Sequence, residues 1–236
     1  MNYNKELTTA IIKVRGLTKT YQNGQIETPV LKGIDLDIAP GEFVAIMGKS
    51  GAGKSTLMYQ MSLLDRPTSG SISVDGEDIL SMNETERTQF RLNELGYVFQ
   101  DYALVPELSA LENVAIPMLM QGKESSIAYQ MSQEILDAIG MEGKYHNRPN
   151  QLSGGEQQRV SIARGVAQQP KILFADEPTA NLDSASSDAV IETLKKLHDQ
   201  GQTIIMVTHE PEYTIYCDRI IFLEDGMITN YDYQLE

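Results

Sequence analysis

The chain has 236 residues, a formal net charge of -14, one cysteine, and apolar and charged fractions of 41% and 22%. Those figures fit one large folded α/β domain with room for an inserted lobe, and they exclude a disordered or collagen-like chain. A single cysteine excludes an internal disulfide and argues against a thiolate metal site, the acidic balance opposes nonspecific attraction to nucleic acid or an anionic membrane, and no apolar run approaches the ~18 residues of a membrane-spanning helix.

The start, Met1 to Ala10, lacks a basic segment followed by an apolar one, so nothing there directs the chain out of the cytoplasm. Membrane association is expected only through a protein partner. Cys217 is expected to be a buried, inert thiol.

Ile11 to Val14, the alternating Ile34, Leu36 and Ile38, and Ser71 to Val74 closed by the turn pair Asp75-Gly76 predict short strands of an antiparallel lobe. Between them, Phe43 to Met47 is a nearly continuous apolar run, the pattern of a strand buried on both faces. It feeds a glycine-rich loop, after which Leu57, Met58, Met61 and Leu64 fall at helical spacing until Pro67 to Gly70 ends the pattern.

From Asn83 to Gly140 the period is helical, with capping-box spacing at Asn83/Glu86 and Ser109/Glu112 and a strand-like interruption at Tyr97 to Phe99. Much of this stretch reads as an inserted helical lobe. The last third alternates again: apolar Ile172 to Phe174, a helix carrying Val190, Ile191, Leu194 and Leu197, then Thr203 to Val207 and Ile220 to Leu223. Strands alternating with helices predict a parallel sheet with covered faces.

Gly48-Lys49-Ser50-Gly51-Ala52-Gly53-Lys54-Ser55-Thr56 carries the spacing G-x-x-x-x-G-K-S of a phosphate-binding loop. Its glycines let successive amides turn inward around a polyphosphate, and the following helix adds its positive end. Lys54 reaches the β- and γ-phosphates in such a loop, and the Ser55 hydroxyl ligates Mg²⁺.

Asp176 and Glu177 end the apolar run from Ile172, at the carboxyl end of a predicted parallel strand, where α/β sheets place their ligands. Asp176 suits Mg²⁺ held through its water shell, and Glu177 suits a general base for an attacking water. The plainer alternative is an acidic turn before Pro178. Ser153 and Glu156 have capping-box spacing in Leu152-Ser153-Gly154-Gly155-Glu156-Gln157-Gln158-Arg159. Two glycines in a first helical turn cost about 1 kcal/mol each relative to alanine, so something is expected to approach that backbone closely; a second phosphate site is one such cause.

The segments LSGGEQQR and GKSGAGKST together resemble the ATP-binding cassette family over nearly the whole chain. The resemblance implies a P-loop NTPase core with a mostly parallel sheet, an antiparallel β lobe and an inserted helical lobe. Core and β lobe would take up about residues 1–100 and 166–236, and the signature lobe 101–165. In that family the signature segment of one subunit closes over ATP held by the phosphate loop of the other. The resemblance therefore implies a homodimer, or a pair of similar subunits, around two Mg²⁺-ATP.

Carried over by position, Gln100 looks like the glutamine that senses Mg²⁺ and the γ-phosphate, and His209 like the γ-phosphate-sensing histidine. Asn181-Leu182-Asp183 looks like the loop that crosses to the partner, with Asp183 its acidic member. Tyr21 sits where the family places a ring that stacks on adenine; a half-buried strand tyrosine is the alternative. Glu42 to Gly48, Leu64 to Gly70 and Ala175 to Asp183 bring the chain nearest to the branch of lipoprotein-release, macrolide-export, peptide-resistance and cell-division ATPases.

That resemblance implies an ATPase on the inner face of the cell membrane, driving separate permease subunits docked around Asp101 to Pro106. A non-transport ATPase of the same family, driving scaffold assembly or a cell-wall signalling complex, shares every motif. A DNA-repair or translation ATPase is disfavoured by the acidic charge and by the lack of a coiled-coil or zinc insertion.

Overall fold

Strand β3, Phe43–Met47, runs through the first of two units with Phe43 to Ile46 fully buried, as its unbroken apolar sequence requires. The computed structural model describes residues 10–24 and 26–233, so Met1 to Thr9, most of the stretch read above for a leader, lies outside them. The described residues divide into one unit holding those up to Arg87 and from Val207 onward, and a second spanning Thr88–Met206.

In the first unit, β1 (Ile12–Asn23) and β2 (Ile26–Ile38) pair antiparallel, and β4 (Ser69–Val74) and β5 (Glu77–Asp78) extend the sheet in the order β2-β1-β4-β5. Ile12 faces Ile38 on one side and Val74 on the other, and all three are fully buried. Val14, between Leu36 and Ile72, repeats the arrangement, so the lobe's core is built from rows of cross-strand apolar pairs. Strand β9 (Arg219–Glu224) lies parallel to β3, and β10 (Met227–Tyr233) is antiparallel to β9. At the entry to β3, the Asp218 carboxylate accepts the Phe43 amide at 2.8 Å, and Arg219 pairs with Glu42 at 2.7 Å. Helix α1 (Lys54–Met61) follows β3 through the glycine loop.

Helix α2 (Glu84–Glu94) leads to the second unit, where β6 (Leu95–Val98) is parallel to β7 (Ile172–Asp176), Leu95 facing Ile172 and Val98 facing Ala175. Strand β8 (Thr203–Val207) flanks β7, and both are buried along their length. Helices α3 (Ala110–Met120), α4 (Ser125–Ala138) and α5 (Gly154–Val166) close on a core that includes Val114, Met118, Leu136 and Val160. Helix α6 is Ser184–Asp199. The expected capping boxes form: Glu112 accepts the Ser109 amide at 2.8 Å while Ser109 Oγ accepts the Glu112 amide, and Glu86 and Asn83 exchange the same pair of bonds at the start of α2. Such a cap is worth about 1 kcal/mol.

Candidate nucleotide site

The phosphate loop is built by a strand, a turn and a helix of the first unit. A Cβ at Gly48 would lie 2.1 Å from the Leu223 carbonyl oxygen, so β9 presses on the loop so closely that only glycine fits. Gly51 and Gly53 take φ of 81° and 101°, turning the loop back on itself, and Gly53 stands at the N-cap of α1. Lys49 and Ser50 are exposed, Ala52 is buried, and Ser55 and Thr56 are half-buried in the first turn of α1. Lys54 is buried, and its Nζ donates to the Gly48 carbonyl at 2.9 Å and the Lys49 carbonyl at 3.2 Å. The ammonium thus sits inside the curl of the loop.

Tyr21, on β1, is 41% exposed, and its hydroxyl donates to Asp65 at 2.9 Å. Asp65 also accepts Gln60 Nε2 from α1 at 3.1 Å, which joins Tyr21 through the carboxylate to the phosphate-loop helix. His209 is exposed just after β8; the Thr208 amide donates to the Ile46 carbonyl, fixing this segment two residues before Gly48.

In the second unit, Asp176 closes β7 at 5% exposure and Glu177 follows with φ of 44°. A left-handed turn at a non-glycine residue is strained, and strain of this kind collects at functional sites. Gln100 is exposed beyond β6, and its carbonyl accepts Asn181 Nδ2 at 3.1 Å. The structure therefore joins Gln100 to the Asn181-Leu182-Asp183 segment. Asp183 caps α6, accepting the Ser186 amide at 3.0 Å, and that bond foremost holds its carboxyl below the usual carboxylate range.

The signature helix α5 starts at exposed Ser153 with its capping box complete. The Ser153 amide, and next Lys144 at 3.1 Å outweighing burial, keep the Glu156 carboxyl below its ordinary range. The close approach expected at the two glycines is present within the chain itself. A Cβ on Gly155 would stand 2.8 Å from the Ser186 Cβ, and one on Gly154 would stand 3.0 Å from the Tyr102 hydroxyl. Both glycines are needed to seat α5 against α6 and Tyr102, whatever binds at the helix end.

Four residues of this second half take roles that their local sequence does not indicate. Tyr102 and Ala103 take left-handed φ of 64° and 48°, and Arg164, from the far end of α5, donates to their carbonyls at 3.0 and 2.5 Å. Gln158 donates to the Phe99 carbonyl at 3.4 Å. The loop after β6 is therefore strapped along α5. Only the arginine and glutamine in the signature helix hinted at this, and nothing local names a carbonyl some sixty residues away.

The groups present fit a magnesium nucleoside triphosphate. The loop offers amides and one buried ammonium, the donors a polyphosphate requires. Ser55 in the first unit and Asp176 in the second each offer hard oxygen, and among the described residues no cluster of three or more acidic, histidine or cysteine groups could cage a metal alone. Mg²⁺ that arrives on phosphates needs few protein ligands.

A glycine loop between a buried strand and a helix, with an acidic pair ending a second buried strand, defines a P-loop ATPase. Residues 31–180 match the family model described as ABC transporter. The lipoprotein-releasing system ATP-binding protein LolD of Geobacter metallireducens is 45% identical over 93% of this chain and 98% of its own. The macrolide export ATP-binding/permease protein MacB of Bdellovibrio bacteriovorus is also 45% identical, over 92% of this chain, which spans only 33% of that protein. The solved dimer of the ATP-binding cassette MJ0796, in a post-hydrolysis state bound to ADP and Pi, superposes with a TM-score of 0.88 at 38% identity, covering 95% of this chain and 99% of that one. The chain belongs to the ABC transporter family and is an ATP-binding, ATP-hydrolysing cassette of the export branch that includes MacB and LolD. Its fold has the expected mostly parallel sheet, antiparallel lobe and helical subdomain.

Proposed function

We propose that two copies of this chain sandwich two Mg²⁺-ATP and, by closing and reopening, drive separate integral membrane permease subunits. Tyr21, the loop from Gly48 to Thr56 and Gln100 hold the nucleotide. Lys54 neutralises the β- and γ-phosphates. Ser55, Gln100 and Asp176 hold Mg²⁺, which when bound spreads the charge that builds on the phosphates. Glu177 draws the proton from the attacking water, and His209 bonds the γ-phosphate.

Ser153, Gly154, Gly155 and Glu156 face the partner's ATP, and Asp183 sits on the loop that crosses to the partner. Residues 101–165 form the signature lobe, 1–100 and 166–236 the core with its β lobe. Asp101 to Pro106 receive the permease; Val105 there is exposed at 37%. The chain works in the cytoplasm, peripheral to the membrane through that permease. Among the described residues no helix is long and apolar enough to cross a membrane.

The observation that carries this proposal is Lys54, buried at the centre of the phosphate loop and already bonded to two of its carbonyls. Glu177→Gln tests the catalytic half, since it keeps the shape and removes the base. Phosphate release should fall by at least ~10²-fold, while light scattering finds an ATP-bound dimer that persists. Undiminished hydrolysis removes Glu177 from its role, and a monomer in both proteins removes the unaided clamp. Copurification with a multi-span membrane protein supports the permease role; a wholly protein scaffold with no such subunit replaces it with an assembly function.

A further inference from the structure

The segment Leu64 to Gly70, which follows helix α1, is tied to the Tyr21 ring. Asp65 Oδ2 accepts the Tyr21 hydroxyl at 2.9 Å, Lys19 Nζ at 2.8 Å and Gln60 Nε2, from α1, at 3.1 Å. Lys19 also donates to the Arg66 carbonyl at 2.6 Å, and its ammonium lies 4.6 Å over the Tyr21 ring. Its side chain is only 12% exposed. The Thr20 amide donates to Thr68 Oγ1 at 2.9 Å, and Thr18 and Ser69 share a hydroxyl bond at 2.7 Å, so the segment is fastened to β1 over the three residues that precede Tyr21.

A tyrosine on a strand edge ordinarily turns about two side-chain bonds. Here the hydroxyl is held by Asp65, which is itself tied to Lys19 and to Gln60 of α1, and the Lys19 cation lies over the ring. A cation over one face draws ring electron density toward itself. Tyr21 is 41% exposed, which leaves area on which a base can stack. We propose that Asp65, with Lys19, is a positioning residue that locks the Tyr21 ring in register with the phosphate loop, so that the loop and the adenine platform bind ATP as one preformed surface. This rests on Tyr21 being the ring that stacks on adenine.

The test compares equilibrium binding of ATP and of inorganic tripolyphosphate to the full chain. Tyr21→Ala removes the platform, and ATP should bind roughly tenfold or more weakly, the scale of one base stack. Tripolyphosphate binding should stay the same. Asp65→Ala and Tyr21→Phe should each weaken ATP several-fold without changing tripolyphosphate, and their double variant should lose no more than either alone. Asp65→Ala should add nothing in the Tyr21→Ala background.

Equal loss of both ligands in Asp65→Ala would make the residue a structural support of the loop and overturn the proposal. Wild-type ATP affinity in Tyr21→Phe, which keeps the ring and is the milder variant should Asp65→Ala not fold, also overturns it. Unchanged ATP affinity in Tyr21→Ala overturns the stacking assignment itself, an outcome distinct from failure of Asp65 alone.

Discussion

The guanidinium of Arg164 donates to the Tyr102 carbonyl at 3.0 Å, while the Tyr102 hydroxyl lies where a side chain on Gly154 would be, so one tyrosine is gripped by both ends of helix α5. Burial lowers the pKa of Arg164 from its ordinary value, and a guanidinium's bonds to carbonyls are charge-assisted. Arg164→Ala leaves the Tyr102 and Ala103 carbonyls without that donor. Its cost should be about 2 kcal/mol of unfolding free energy, read by urea denaturation. Arg164→Lys, a point donor in place of a fork, should recover less than half of it.

Gly155→Ala would ordinarily favour a helix by about 1 kcal/mol. Here the added methyl meets Ser186 at 2.8 Å, and overpacking should reverse the sign, destabilising by about 1–3 kcal/mol. Gly155→Ala combined with Ser186→Gly should regain most of the loss in thermal melts. A double variant no more stable than Gly155→Ala would place the strain elsewhere.

Burial pushes the Asp65 carboxyl up, but bonds from Lys19, the Arg66 amide, Tyr21 and Gln60 outweigh it and hold the pKa down to about 2, against 3.8 ordinarily. A depressed acid favours the folded state above the unfolded pKa and loses that contribution as pH falls through the folded one. Unfolding free energy of the wild type should therefore decline between about pH 4 and about pH 2, more steeply than that of Asp65→Asn. Parallel curves would show that Asp65 is not ionised in this network.

Burial, then the nearby Asp218 charge, pushes the Cys217 thiol well up, and the residue is 2% exposed. A thiol-specific chromophoric reagent at mild alkaline pH should label the native chain only as fast as it unfolds. Labelling in step with urea denaturation is the expected result, and immediate native-state labelling would contradict the buried site.

Elements defined by their own residues were legible in the sequence. Phe43–Met47 and Thr203–Val207 are strands over the spans their apolar runs predicted, and the boxes at Ser109 and Ser153 are closed by partners three positions on, Glu112 and Glu156. Strand β10 was not legible, because Thr229, Asn230 and Asp232 leave no apolar run, and its existence depends on pairing with β9. The phosphate loop could be read from its spacing, while Asp176 and Glu177 were marked only by their place at the end of an apolar run. Their supports could not be read. Tyr21 and Asp65 are 44 residues apart and Arg164 and Tyr102 are 62 apart, separations that no local period encodes.

The two carbonyl bonds of Lys54 bear on how fast and how tightly a triphosphate can enter. A flexible loop would have to lose its conformational freedom at the moment of binding, and affinity would fall accordingly. This loop is already curled about its own cation. Arrival of a phosphate is then a swap of one set of oxygens for another around a fixed ammonium, and the backbone has little left to rearrange.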